Sequence, residues 1–173
     1  MKKTAFIIVI LTLFTNCKSE LIIQVKTQET NEKKVKAKIT TNFPENTILS
    51  ITAERIYQRK NDSNLYGGTH YYSRELAVKN GEIEFSFNVD DKKWIKNYNE
   101  YKKFEKGLNE IDFKSIKDSI EITIFYTPEF ERDKNVAKIL GKRGENINGK
   151  GTFKFDDYKG FRKTIKIFSK FKR

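Results

Sequence analysis

The chain has a single cysteine, Cys17, and a single histidine, His70, among its 173 residues. That scarcity removes most of the side chains from which proteins build nucleophile–base pairs or nitrogen and sulfur metal sites. A zinc ion would have to recruit His70 together with scattered carboxylates. His70 itself sits in a Gly-Gly-Thr-His-Tyr-Tyr strand start and reads as a surface or edge residue. Acidic residues are in deficit, with 23 Asp and Glu against 35 Lys and Arg, for a formal charge of +12. The acidic pairs Asp90-Asp91 and Asp156-Asp157 are neighbours in sequence. In a strand such neighbours point to opposite faces, so neither pair makes a carboxylate dyad, and both read as turn residues. No catalytic residue, metal ligand or cofactor is assigned, and the chain is not expected to be an enzyme. Long apolar runs are missing as well. The longest, Ala5 to Phe14, falls short of the roughly 20 residues that a helix needs to cross a bilayer.

That short run is preceded by Lys2 and Lys3 and followed at once by Leu13-Phe14-Thr15-Asn16-Cys17. A positive start and a brief apolar stretch are the order of a secretory leader. Its end resembles the lipobox of bacterial lipoproteins, in which the cysteine is acylated on sulfur and becomes the new N-terminus. Phe14 and Asn16 depart from the Leu and the small residue usual there. The resemblance implies a signal peptide over residues 1–16, a palmitate-type lipid on Cys17 and a tether over residues 17–20. A lone thiol exported to an oxidising compartment is otherwise a liability. Each buried CH₂ adds about 0.8 kcal/mol of membrane affinity, so two or three acyl chains hold a protein firmly. Lys18-Ser19-Glu20 lacks Asp after the cysteine and resembles the surface-export signals of Bacteroidetes lipoproteins. The expected address is therefore the cell envelope, at the outer membrane or cell surface rather than the inner membrane.

Residues 21–173 read as one domain, since 37% hydrophobic content with 14 Phe and 8 Tyr suffices for one core. Their apolar residues alternate, as in half-buried strands. Leu21-Ile23-Val25, Val35-Ala37-Ile39, Leu49-Ile51-Ala53, Ile83-Phe85-Phe87-Val89, Ile120-Ile122-Ile124 and Ile165-Ile167 follow this pattern. Turn signals separate them at Asn42-Phe43-Pro44-Glu45-Asn46, Gly67-Gly68 and Asn80-Gly81. The fold expected is mainly β, an Ig-like β-sandwich of about seven strands with one or two short helices. One helix is expected between Asp91 and Gly107, with Trp94, Tyr98, Tyr101, Phe104 and Leu108 as an aromatic packing stripe. The other spans Asp133 to Leu140, capped by Asp133, with Val136, Ile139 and Leu140 as its apolar face and Gly141 as its stop.

Three segments together resemble an uncharacterised family of secreted bacterial Ig-like β-sandwich domains. They are Thr40-Thr41-Asn42-Phe43-Pro44-Glu45-Asn46-Thr47, Val78-Lys79-Asn80-Gly81-Glu82-Ile83, and the run from Asn135 to Gly149 that contains Ile139-Leu140-Gly141-Lys142-Arg143-Gly144-Glu145-Asn146. The resemblance implies fold and export, and adds no activity.

Among binding candidates, the glycine-rich segment from Gly141 to Gly151 offers backbone N–H groups for an anion, with Lys138, Lys142, Arg143 and Lys150 supplying charge. It imitates the loop with which KH domains hold a nucleic-acid backbone. Gly149 and Gly151 leave no room for the helix that such a domain needs, so nucleic acid is not an expected partner. A second basic cluster, Arg162, Lys163, Lys166, Lys170, Lys172 and Arg173, ends the chain and reads as a solvated face or a contact with anionic envelope material. With the leader removed, about +10 of charge remains. The reading is a lipid-anchored, non-catalytic binding or interaction module, attached to the membrane by its N-terminal lipid and meeting an anionic envelope polymer or a protein. Alternatives are an envelope hydrolase with a site not visible in sequence, or an immunity or exclusion lipoprotein.

Overall fold

Two of the alternating segments become direct partners: strand β2 (Lys34–Thr41) pairs antiparallel with β6 (Glu82–Asn88), setting Ala37 opposite Phe85. The computed structural model describes residues 20–29, 33–67, 69–105 and 108–172. The expected leader, residues 1–16, the lipidation site Cys17 and the terminal Arg173 lie outside the described residues. The remaining elements are β1 (Ile23–Glu29), β3 (Ile48–Arg55), β4 (Gln58–Arg59), β5 (His70–Ala77), helix α1 (Asp91–Phe104), β7 (Ile111–Asp112), β8 (Ser119–Tyr126), helix α2 (Lys134–Leu140), β9 (Thr152–Phe155) and β10 (Tyr158–Phe168).

The chain is a mainly β, antiparallel sandwich. One sheet has the order β1-β2-β6, the other β5-β3-β8-β10-β9, and β4 and β7 form a small ribbon. Pairing β1-β2-β6 against β3-β8-β10 gives the connectivity of an immunoglobulin-like sandwich. Its fourth strand, β5, lies beside β3. Seven strands are seven residues or longer, in line with the expectation, and β4, β7 and β9 are short additions. The alternating positions Val35, Ile39, Leu49, Ile51, Phe85 and Ile122 share one buried core between the sheets. Burying a side chain of this kind is worth about 1.5–3 kcal/mol, so the pleat of the strands decides which face turns inward.

The turns follow their chemistry. Asn80 and Gly81 both take positive φ, 52° and 73°, and close the β5–β6 link by reciprocal Lys79–Glu82 backbone hydrogen bonds. Asp156, at φ 48°, makes the β9–β10 turn with Asp157, as expected of that pair. Asp90 and Asp91 depart from the turn reading. Asp90 caps α1 by accepting from the Lys93 N–H, and Asp91 opens the helix and is buried.

α2 matches its expected limits, with Asp133 accepting from the N–H groups of Asn135 and Val136. Its buried face is Val136 and Leu140, one helical turn apart, and Ile139 falls off that face and is exposed. In α1 only Trp94 and Tyr98 of the expected stripe are buried within the helix, and Leu108 is buried after it. Tyr101 and Phe104 are exposed, and the buried residues of the helix are Asp91, Trp94 and Tyr98. There Trp94, Tyr98, Tyr57, Leu108, Ile111 and Ile116 make a second, smaller cluster at the end of the sandwich. Tyr57 meets Trp94 and Tyr98 edge-on, each with ring centroids 5.4 Å apart, the arrangement that aromatic quadrupoles favour.

Strand directions fix two poles. β1 begins, β2 ends and β3 begins at the pole where the chain enters. There the Leu21 N–H donates to the Asn148 carbonyl at 2.7 Å, and Asn42 Nδ2 donates to the Glu20 carbonyl at 2.7 Å. β3 and β6 end, and β5 and α1 begin, at the far pole.

Candidate functional site

The far pole is organised by an arginine whose position follows from strand phase. Leu49, Ile51 and Ala53 of β3 point inward, and Arg55 is the next residue in that phase, with its side chain fully buried. Burying a guanidinium without partners costs several kcal/mol, so every donor needs an acceptor. Arg55 Nε donates to the Tyr71 hydroxyl at 2.7 Å and lies 3.2 Å from Asp91 Oδ1. Its Nη1 donates to the carbonyls of Lys117 at 3.0 Å and Ser169 at 2.7 Å. The Asp91 carboxylate also accepts from the Tyr71 hydroxyl at 2.5 Å and from the Lys172 N–H at 2.8 Å. One ion pair thus ties together β3, β5, α1, the segment before β8 and the C-terminal residues. Burial, followed by donation to Asp91, holds the Tyr71 hydroxyl protonated well above the usual phenol range.

Tyr71 reaches this junction because β5 carries a bulge. Ala53 pairs with Tyr72 while Glu54 pairs with His70, leaving Tyr71 as the extra residue. Such an insertion re-aims a side chain. Tyr71 meets Arg55 and Asp91, while Tyr72 stacks on Phe85, with ring centroids 5.0 Å apart.

Between the outer edges of the two sheets, under the first turns of α1, lies a cleft of about 370 Å³. That is within the size range of small-ligand sites, about 300–1,000 Å³. β5 contributes His70, Tyr71 and Tyr72, and β6 contributes Ser86, Phe87 and Asn88. Asp90 and the α1 residues Lys93 and Asn97 close it. Phe87 and Trp94 are almost fully buried beneath it, whereas Tyr71 and Tyr72 are half-buried and reach its surface. His70 Nδ1 stands 3.3 Å from Glu54 Oε2 on the neighbouring strand. Among the described residues, the side chains of Ser86, Asn88, Lys93 and Asn97 make no hydrogen bond or ion pair within the protein. Lys93 and Asn97 reach the cleft from α1, whereas Ser86 and Asn88 share the outward phase of β6 with Glu84, opposite to Phe85 and Phe87.

A larger hollow of about 560 Å³ lies on the outward face of β1-β2-β6, along Lys26, Lys36, Lys38 and Glu84. It is a sheet face rather than a three-sided cleft. Lys38 is already engaged there by Glu82 at 2.7 Å and Glu84 at 3.5 Å.

The glycine-rich segment expected to bind an anion runs across the entering pole. Lys138, Lys142, Arg143 and Lys150 are all exposed. Arg143 pairs with Asp157 at 3.2 Å. The turn's N–H groups are engaged within the chain: Glu145 Oε2 accepts from the Arg143 N–H at 3.1 Å, and the Gly144, Asn146 and Ile147 N–H groups donate to the Gly141, Leu140 and Gly144 carbonyls. Hydrogen bonds from its own N–H and that of Arg143 hold the Glu145 carboxyl below the usual range. Gly144 lies so close to β10 that a Cβ there would stand 2.1 Å from the Lys159 carbonyl oxygen, which explains the glycine by packing. In the C-terminal cluster, Lys166 pairs with Glu121 at 2.9 Å, and Lys163 Nζ donates to the Ile23 carbonyl at 2.5 Å, joining the two sheets.

The sequence reading missed both the Arg55–Asp91 junction and the cleft. The junction left a signal: Arg55 continues the inward phase of β3, and Asp91 precedes Trp94 and Tyr98 by three and seven residues, on one helix face. The cleft left none, because β5 shows no alternation and its neighbour across the gap belongs to the other sheet. Comparison with known protein families, curated proteins and solved structures finds no match to this chain.

Proposed function

We propose that this chain is a lipid-anchored, non-catalytic binding module of the bacterial cell envelope, attached through Cys17 and engaging its partner by the cleft at the far pole. The observation that carries the binding part is the cleft of about 370 Å³ between the edges of β5 and β6, beside which the α1 side chains Lys93 and Asn97 make no hydrogen bond or ion pair among the described residues. Donors and acceptors of this kind hold a ligand, whereas covalent or acid–base chemistry needs a nucleophile and base within reach of each other. The anchoring part is supported by the single cysteine abutting a short apolar leader. It is supported also by the polarity of the fold: residue 20 enters at one pole, and the cleft opens toward the other, away from a membrane that held Cys17.

Two measurements test the proposal. Detergent phase partitioning should place the wild-type protein with the membrane fraction, and Cys17→Ser should release it or leave an unprocessed precursor. Unchanged attachment and processing in that variant removes the anchor. Pull-down from solubilised envelope with the intact lipoprotein should recover a partner that the Lys93→Ala/Asn97→Ala double variant loses. Equal recovery by both proteins moves the binding surface elsewhere.

A further inference from the structure

We infer that the uncovered edge of β10, from Arg162 to Phe168, is a docking site for an acidic peptide segment that joins the sheet as a further strand. The site lies on the side of the sandwich opposite the cleft and stands independently of it. Strand length is the first argument. β10 has 11 residues, and β9, with 4, pairs only with Tyr158–Phe161. The Arg162 N–H donates to the Gly151 carbonyl at 2.8 Å on the β9 side, whereas the Ser169 N–H donates to the Asp118 carbonyl at 3.2 Å on the β8 side. Backbone groups alternate between the two edges of a strand, so Thr164, Lys166 and Phe168 turn theirs to the β9 side, past the point where β9 begins. Among the described residues these groups pair with no strand. A bare row of N–H and C=O groups is a template for another chain.

The second argument is the apolar seam beside that edge. Ile165 and Ile167 on the inward face of β10, and Val25 of β1 on the other sheet, pack against the core yet stay half-buried. Near the entering pole the two sheets are tied by Lys163 Nζ and the Ile23 carbonyl. A strand added to β10 turns every second side chain inward, toward this seam, and the others outward. The third argument is charge. Neither β9 nor β10 contains an acidic residue. The outward face of the bare edge carries Arg162 and Lys166, followed by Lys170. Lys166 meets Glu121 of β8 at 2.9 Å, and Arg162 and Lys170 make no ion pair among the described residues. Acidic side chains at the outward positions of the added strand meet these cations, and apolar ones at its inward positions cover Ile165 and Ile167. The same cations disfavour a second copy of this chain. Antiparallel pairing of two β10 edges about Thr164 would set Arg162 of each opposite Lys166 of the other, and like charges directly opposite destabilise a sheet.

The test uses the full chain, with the fluorescein-labelled heptapeptide Val-Glu-Val-Glu-Val-Glu-Val as probe and fluorescence anisotropy as readout. The peptide should bind with a Kd of about 100 µM or tighter at low salt, and more weakly as salt is raised. The lysine peptide Val-Lys-Val-Lys-Val-Lys-Val should bind about tenfold more weakly or not at all. Arg162→Gln/Lys166→Gln should weaken the acidic peptide about tenfold, and Lys96→Gln, on α1 beside Glu100, should leave it unchanged. Backbone pairing is tested on the peptide. N-methylation of its Glu residues removes the donors of one edge, and of its Val residues those of the other, so only one of the two methylated peptides should lose binding. Thr164→Pro removes an N–H that the β8 ladder does not use, and should also abolish binding. That variant loses the hydroxyl contact with Thr123 at 3.1 Å, so its folding is checked by thermal melt. The methylated peptides leave the protein untouched and decide the point if it does not fold. The inference is overturned if the acidic peptide does not bind, if the lysine peptide binds as tightly, if the two methylated peptides behave alike, or if the glutamine variant binds like wild type. A wild-type dimer in sedimentation that Thr164→Pro dissociates would overturn it in favour of a second copy.

Discussion

Arg55 and Asp91 meet at 3.2 Å inside the protein, with side-chain exposures of 0% and 5%, and their contact joins the sandwich to the helix that roofs the cleft. Removing one member of such a pair leaves the other charge buried without compensation. Arg55→Met should therefore cost about 3–5 kcal/mol in urea unfolding, and Asp91→Leu a similar amount. The double variant Arg55→Met/Asp91→Leu should regain part of that loss. A double variant with the full sum of the two single losses would show that the residues act independently.

Tyr71 ties the same junction to pH. Its hydroxyl stays protonated in the folded protein at pH values where an exposed phenol, with a pKa of about 10, has ionised. Burial acts in the same direction on Tyr126. Because the folded state holds protons that the unfolded chain releases, stability should be unaffected by these groups below about pH 10 and should fall as pH rises beyond it. Tyr71→Phe should flatten that alkaline slope in thermal melts, without abolishing it, since Tyr126 remains.

The inward phase of β6 predicts a direct stability cost. Phe85 and Phe87 are both buried, in contact with Tyr72 and with each other. Truncating either to Ala should destabilise the domain by about 3–5 kcal/mol, read as a lower melting temperature. Two unaltered melting temperatures would mean that this strand does not face the core.

Gly144 combines a φ of 75° with a Cβ direction blocked by the Lys159 carbonyl. Gly144→Ala should cost on the order of 1–3 kcal/mol for the strained backbone alone. Hydrogen exchange should accelerate at the Lys159 N–H, which donates to the Arg143 carbonyl at 2.8 Å. An alanine variant that melts and exchanges like wild type would leave this glycine without a packing role.

The proposed anchor would bring the entering pole, with Lys138, Lys142, Arg143 and Lys150, close to the membrane surface. Basic side chains near anionic lipid contribute about 1 kcal/mol each, decaying over about 8 Å at physiological ionic strength. Sedimentation of unlipidated protein with anionic vesicles should fall as salt is raised, and fall again when these four residues are neutralised. If wild-type protein fails to sediment at low salt, the basic charge has no such role.

What the sequence determined by itself was whatever depends on neighbours along the chain. Alternation at 35–39, 49–53, 83–89 and 120–124 marked strands because the pleat turns every second side chain to the same face. Asn80-Gly81 marked a tight turn because both residues accept positive φ, and Asp133 and Gly141 bounded α2 for equally local reasons. The tertiary structure alone decided what depends on residues far apart. Strand β5 carries no alternation, and its bulge exists only against Ala53 and Glu54. Asp91 became a buried partner rather than a turn residue because Arg55, 36 positions earlier, needed a counter-charge where β3 runs under α1. The cleft belongs to neither sheet: His70 and Asn88 line it from opposite layers, and only the packing of those layers brings them together.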